Sequence, residues 1–127
     1  MTRVHILSLL LGLALTIAVV HTLASENFWY WRYWWLDLVM HFGGGAFIGG
    51  VALMAGLPRP WLTALGAALI VGVGWEVFEF IIKIGFVPGL WSDSLMDLGM
   101  DLLGAGTVCA MMSWWLSRSP LPAAPGA

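Results

Sequence analysis

Four apolar stretches of about twenty residues each dominate this chain, and that is the length an α-helix needs to cross the hydrocarbon core of a bilayer. They run over about residues 4–24, 37–57, 61–84 and 93–116. A chain of 127 residues with 61% hydrophobic and 9% charged side chains has too few polar groups to hide them in water; soluble domains carry roughly 25% charged residues. The expected fold is an all-α membrane protein, a compact bundle of four transmembrane helices in one domain over residues 1–116. Residues 117–127 read as a disordered Pro/Ala tail. The rival reading of the first stretch, a signal peptide cleaved after the small residue Ala24, fits less well because the apolar run exceeds a normal h-region.

The breaks between stretches have local causes. Pro58-Arg59-Pro60 separates the second from the third, since proline cannot continue a helix. Residues 85–91, with Pro88-Gly89, read as a loop before the fourth. Tryptophans mark both membrane faces: Trp29, Trp31, Trp34, Trp35 and Trp91 at one, Trp61, Trp114 and Trp115 at the other. Residues 28–35 are expected in the headgroup region, as an interfacial segment or a helix extension. Arg3, Arg59 and Arg118 on one side outnumber Arg32 and Lys83 on the other, which by the positive-inside rule gives an N-in/C-in orientation.

Against this background the acidic residues stand out. Six of the seven, Asp37, Glu76, Glu79, Asp93, Asp97 and Asp101, lie toward the same end of successive spans. An ionised side chain at a helix centre costs about 2.5–3.5 kcal/mol on insertion scales, so it persists where it faces a bundle interior, pairs, or does chemistry. Alternating helix direction puts the start of the second span, the end of the third and the start of the fourth at one membrane face. His21, near the end of the first, emerges there too. Under the N-in/C-in orientation this is the outer half of the membrane.

Spacing assigns faces. Asp37 and His41 are four apart, Glu76 and Glu79 three apart, and Asp93, Asp97 and Asp101 four apart, so each helix carries a polar stripe. Lys83, four residues after Glu79, is the expected counter-ion, and Arg32 could cap another carboxylate from the loop. Trp75 beside Glu76 is a candidate pocket neighbour, although a packing role suits it as well. The acids still outnumber the local cations. A proton, a bound cation or a cationic ligand group would relieve that excess. Asp93, at the expected helix start, suits an N-cap. Glu26 and His5 lie apart from the cluster.

Glycines crowd the same helices, with Gly45-x-x-x-Gly49 on the second span, Gly66, Gly72 and Gly74 on the third, and Gly99, Gly104 and Gly106 on the fourth. Small residues let helix backbones approach in lipid. Packing within the chain is the first expectation, and a homo-oligomer through Gly-rich faces the second. The single cysteine, Cys109, excludes an intrachain disulfide and reads as a packing residue.

Asp37-Leu-Val-Met-His41-Phe42, Trp75-Glu76-Val-Phe-Glu79 and Asp93-x-x-x-Asp97-x-x-x-Asp101-x-x-Gly104 together resemble the VanZ-like group of small bacterial membrane proteins, including related inner-membrane proteins with a WExxE pattern. The resemblance spans roughly residues 37–106. It departs at Leu38, where many VanZ-like sequences have lysine, and at Asp101, where asparagine is usual; both changes make this cluster more acidic. The resemblance implies a multi-pass protein of the bacterial inner membrane and cell envelope, in a group whose named member is associated with glycopeptide (teicoplanin) resistance. It implies no established reaction.

Three functions remain in play from the residues. Asp37, His41, Glu76, Glu79, Asp97 and Asp101 offer carboxylates and an imidazole suited to zinc, manganese or iron, so a divalent metal is the candidate cofactor. The same residues are the candidate acid–base groups of an enzyme acting on an envelope lipid or lipid-linked precursor, since no serine or cysteine stands in a nucleophile motif. A binding or accessory protein with an acidic pocket is the favoured class. A purely structural hydrogen-bond network is the plain alternative. Membrane lipids are the expected partners, and the net charge of −2 gives no basic surface for nucleic acid.

Overall fold

A computed structural model describes residues 3–56, 58–82 and 90–118. Among them the chain is entirely helical: α1 (Arg3–Glu26), α2 (Trp29–Arg32), α3 (Trp34–Met54), α4 (Pro60–Ile82) and α5 (Leu90–Arg118). Four of these helices, all but the single turn of α2, are long and apolar enough to cross a membrane. The loop expected over 85–91 therefore ends sooner, because Leu90 and Trp91 already belong to α5. That helix also continues two residues into the expected tail. The rest of the tail and Lys83 lie outside the described residues.

The helix ends follow from backbone chemistry. After α1 the chain turns through Phe28 in the left-handed region (φ 56°), and Tyr33 (φ −128°, ψ 85°) separates α2 from α3. The aromatic segment is thus a separate turn of helix, α2, followed by Trp34 and Trp35 as the first residues of α3. At the far end of α3, Gly56 (φ 67°) adopts the left-handed conformation that closes helices, its N–H donating to the Leu53 carbonyl at 3.2 Å. Pro60 then opens α4 from the first helical position, where its missing N–H costs nothing.

Helix α3 is the hub. It packs against α5 most extensively, against α4 and α1 on its other faces, and α4 also packs on α5. Glycines set these distances. A Cβ on Gly45 would collide with the Asp101 backbone carbonyl, one on Gly104 with the Phe42 carbonyl, and one on Gly49 would sit 2.9 Å from Ala105. The Gly45-x-x-x-Gly49 face is therefore filled by α5 of the same chain. Gly50 lets Leu10 of α1 approach in the same way, at 2.6 Å from its would-be Cβ. The buried apolar residues are mostly small: Ala24, Ala46, Ala64, Ala68 and Ala105, with Leu36 and Cys109. Large apolar side chains such as Leu11, Leu15, Ile70, Ile81 and Leu103 point outward. That inversion of the soluble pattern is the one hydrocarbon surroundings demand, because lipid tails are as apolar as leucine.

Helix α1 is bound differently from the other three spans. Its Cα atoms come within 8 Å of α2 and α3, and among the described residues nowhere that close to α4 or α5. A seam is left between α1 and α4.

Candidate functional site

The acid–histidine cluster forms at the end of the bundle where α3 and α5 begin and α4 finishes. Counting 1.5 Å per residue, His41 lies about 10 Å from the start of α3, Asp97 about 10 Å from the start of α5, and Glu76 about 9 Å from the end of α4. The three stripes do meet.

His41 is the centre, and it is buried. Its Nδ1 lies 3.3 Å from Asp101 Oδ2, a hydrogen bond in which the ring N–H donates to the carboxylate. Its Nε2 faces the other way, 3.8 Å from Glu76 Oε1 and 4.0 Å from Asp37 Oδ1 one helical turn earlier. Asp101 can reach the ring because glycines flank it on two helices. Gly45 gives way to its backbone, and a Cβ on Gly72 would strike its carboxylate. Two glycines that read as general packing residues thus hold one specific side chain in place.

Asp37, His41 and Asp97 each offer one ligand atom, and the three atoms lie within 4.8 Å of one another. Donors about 2.1 Å from a tetrahedral ion stand roughly 3.4 Å apart, so closure of this trio needs only side-chain adjustment. Asp97 is 2% exposed, and its Oδ1 has no hydrogen-bond partner. The second buried, unpartnered side-chain oxygen among the described residues is Glu76 Oε1, also beside His41. Buried carboxylate oxygens are costly unless something pairs with them. A His/Asp/Asp group of this kind can hold a metal. Asp101 on Nδ1 is a partner of the kind, carboxylate, carbonyl or water, that fixes the tautomer of a histidine whose Nε2 binds a metal.

Beside this cluster, α1, α3 and α4 enclose a cavity of about 450 Å³. Its walls are apolar at one end, with Ala14, Ile17, Phe47 and Val71, and Asp37, His41, Glu79 and Asp101 line its polar end. Glu79 accepts the Trp75 indole N–H at 3.2 Å. The Trp75 ring meets His21 edge-on at 5.6 Å, and His21 Nδ1 is 2.8 Å from the Tyr30 hydroxyl. Burial, with smaller contributions from Asp37 and Glu79, pushes the Tyr30 phenol up to about 12. It therefore keeps its proton at neutral pH and is available to donate to His21. This aromatic chain ties α2, α1 and α4 together across the interfacial end of the seam.

Several candidates stand elsewhere than the spacing suggested. Glu79 shares a helix face with Glu76, yet its indole partner and the cavity set its place rather than His41. Arg32 stacks its guanidinium 5.6 Å from the Tyr33 ring centroid and forms no ion pair with the cluster among the described residues. Asp93 is exposed in the first turn of α5, inside the helix rather than capping it. The spacing does not signal the His21–Tyr30 pair or the apolar half of the pocket against α1; the one hint is an aromatic-rich segment at the depth where His21 emerges. Compared with protein-family models, curated proteins and solved structures, the chain matches none.

Proposed function

We propose that this is a multi-pass protein of the bacterial inner membrane, N- and C-termini cytoplasmic, whose acid–histidine pocket binds a divalent metal ion as part of a binding or accessory role in the cell envelope. The observation that carries the reading is Asp97: a carboxylate 2% exposed, one oxygen unpartnered, within 4.8 Å of ligand atoms on Asp37 and His41. A divalent ion there would neutralise two carboxylates at a depth where unpaired charge is expensive. Two aspartates and a histidine suit zinc, manganese or iron. The VanZ-like motifs favour the envelope setting, since they fall on the three helices that supply the cluster.

A second reading is a metal-dependent enzyme acting on an envelope lipid or lipid-linked precursor, and the adjoining cavity favours it. Three protein ligands leave a coordination position open, and two of them, Asp37 and His41, also line the cavity. A metal in that position would act as a Lewis acid on an oxygen presented from the cavity.

Metal analysis of the purified chain, reconstituted separately with zinc, manganese and iron(II), tests the site. One ion per chain in wild type, lost in Asp97→Asn and His41→Ala and kept in Asp93→Asn, is the expected result. Wild type without stoichiometric metal, or folded variants that keep it, would sink the proposal.

A further inference from the structure

We infer, building on the metal proposal above, that Glu76 is a fourth protein ligand of the ion. Helices α3, α4 and α5 then all contribute donors, and the coordination positions left over open into the cavity.

Two orphaned oxygens flank one imidazole. Among the described residues, the buried side-chain oxygens without a hydrogen-bond partner are Asp97 Oδ1 and Glu76 Oε1. Asp97 is 2% exposed and offers a ligand atom within 4.8 Å of ligand atoms on Asp37 and His41. Glu76 Oε1 lies 3.8 Å from His41 Nε2. That separation is too long for a hydrogen bond. It falls within the spread of donors around one octahedral ion, which at bond lengths of about 2.1 Å stand about 3 Å apart when adjacent and about 4.2 Å when opposite.

A proton on the ring does not satisfy these oxygens. His41 Nδ1 already faces Asp101 at 3.3 Å. An N–H on Nε2 points at one acceptor, yet Glu76 Oε1 and Asp37 Oδ1 both stand near it, at 3.8 and 4.0 Å, and neither is within hydrogen-bond reach. Asp97 Oδ1 has no donor at all. A divalent ion has no such limit, because it takes about four to six donors at once.

The packing of α4 brings Glu76 to this point. A Cβ on Gly72 would strike the Asp101 carboxylate, so the bare backbone there lets α4 close on the cluster. Residues four apart share a helix face, and Glu76 is one turn beyond Gly72. The same face therefore yields to the carboxylate on Nδ1 and supplies the carboxylate beside Nε2. Glutamate has one more methylene than aspartate, and that extra torsion lets its oxygen reach an ion without a shift of the backbone.

The four donors also fix the direction of access. Asp37 and His41 line the cavity, whereas Glu76 and Asp97 lie outside its lining. Four protein donors would saturate a tetrahedral zinc ion. An octahedral manganese or iron(II) ion would keep further positions free, and these face the cavity side. The open position that the enzyme reading needs thus calls for an ion of higher coordination number than four-coordinate zinc.

Manganese(II) binding to the full chain in detergent, followed by electron paramagnetic resonance, tests the assignment. Wild type should bind one ion. Glu76→Ala should weaken binding by about 100-fold or more, at or beyond the upper end of what losing an outer-shell partner costs. Glu76→Gln, which keeps the shape and leaves a weaker carbonyl donor, should fall between the two. Double resonance in deuterated water counts the solvent molecules on the ion. Glu76→Ala should carry one more than wild type, because water replaces the lost ligand, while Asp101→Asn should carry the same number. Wild type that binds no manganese ends the metal reading and this inference together. If wild type binds its ion, folded Glu76→Ala with wild-type affinity or water count, or folded Glu76→Gln with wild-type affinity, overturns this inference alone and leaves Asp37, His41 and Asp97 as the site.

Discussion

The α3–α5 contact and the α1–α4 seam lie on opposite sides of the same hub helix and solve opposite problems. At the first, Gly45, Gly49 and Gly104 bring backbone against backbone, leaving no room for a methyl group. At the second, two helices stay apart and a cavity of about 450 Å³ lies beside them. The tight side holds Asp97 and Asp101 on α5 against His41 on α3 with little positional freedom. The open side places a hollow beside the polar groups of that cluster. Rigidity on one flank and access on the other is the division of labour expected of a binding site, which works best on well-packed elements beside a preformed hollow.

The largest effect is expected at Gly45. Gly45→Val drives a branched side chain into the Asp101 backbone, and overpacking that neither helix can relieve costs about 3 kcal/mol. Thermal unfolding in detergent should show the loss, together with loss of metal binding. The control is Gly74→Ala on the neighbouring helix. A Cβ there meets nothing within 4 Å, so the change should be neutral or gain up to about 1 kcal/mol from helix propensity. Equal destabilisation by the two would show that helix packing is not what distinguishes these glycines.

Asp101→Asn sharpens the same side more gently. It keeps the shape of the group against His41 Nδ1 and removes its charge. If Asp101 orients the imidazole for a metal, affinity for zinc should fall about 10–100-fold while one ion per chain is still reached at saturation. Unchanged affinity would assign Asp101 to packing alone.

On the open side, Trp75→Phe keeps an aromatic ring against His21 and deletes the N–H that binds Glu79. The expected cost is about 1 kcal/mol or less, since the bond is at an exposed position. Thermal unfolding in detergent measures it, and a loss well above that would show that the indole N–H holds Glu79 more strongly than an exposed bond can.

These two flanks were not equally legible in the sequence. Apolar length and proline placement fix the spans, and alternating direction is enough to bring Asp37, His41, Glu76, Asp97 and Asp101 to one depth. Spacing, however, gives a helix face and not a partner. Glu76 and Glu79 are three residues apart, yet one turns to His41 and the other to Trp75. Gly72 shows the same limit. Its sequence context says only that α4 is thin there, while the structure shows that it clears space for the Asp101 carboxylate. The acidic half of the cavity is legible in the carboxylates that line it, but its apolar half against α1 has no signature, because it arises from a distance between α1 and α4 that no residue on either helix encodes alone.

The smallest effect concerns the clasp at the interfacial end of the seam, where Tyr30 meets His21 at 2.8 Å. Tyr30→Phe removes that hydrogen bond and should cost about 1 kcal/mol near neutral pH. The effect should also depend on pH in a defined direction. In the folded protein the phenol is pushed up to about 12, chiefly by burial, whereas an unfolded tyrosine ionises near 10. Between those values the unfolded chain has released the proton and the folded one still holds it. Stability contributed by Tyr30 is therefore intact below about pH 10 and falls as pH rises toward about 12. Unfolding measured across that window should show wild type losing its advantage over Tyr30→Phe. An advantage that is constant with pH would mean Tyr30 ionises as an ordinary surface phenol, and one that grows would mean the fold favours the phenolate; either would show that the clasp is not closed against water.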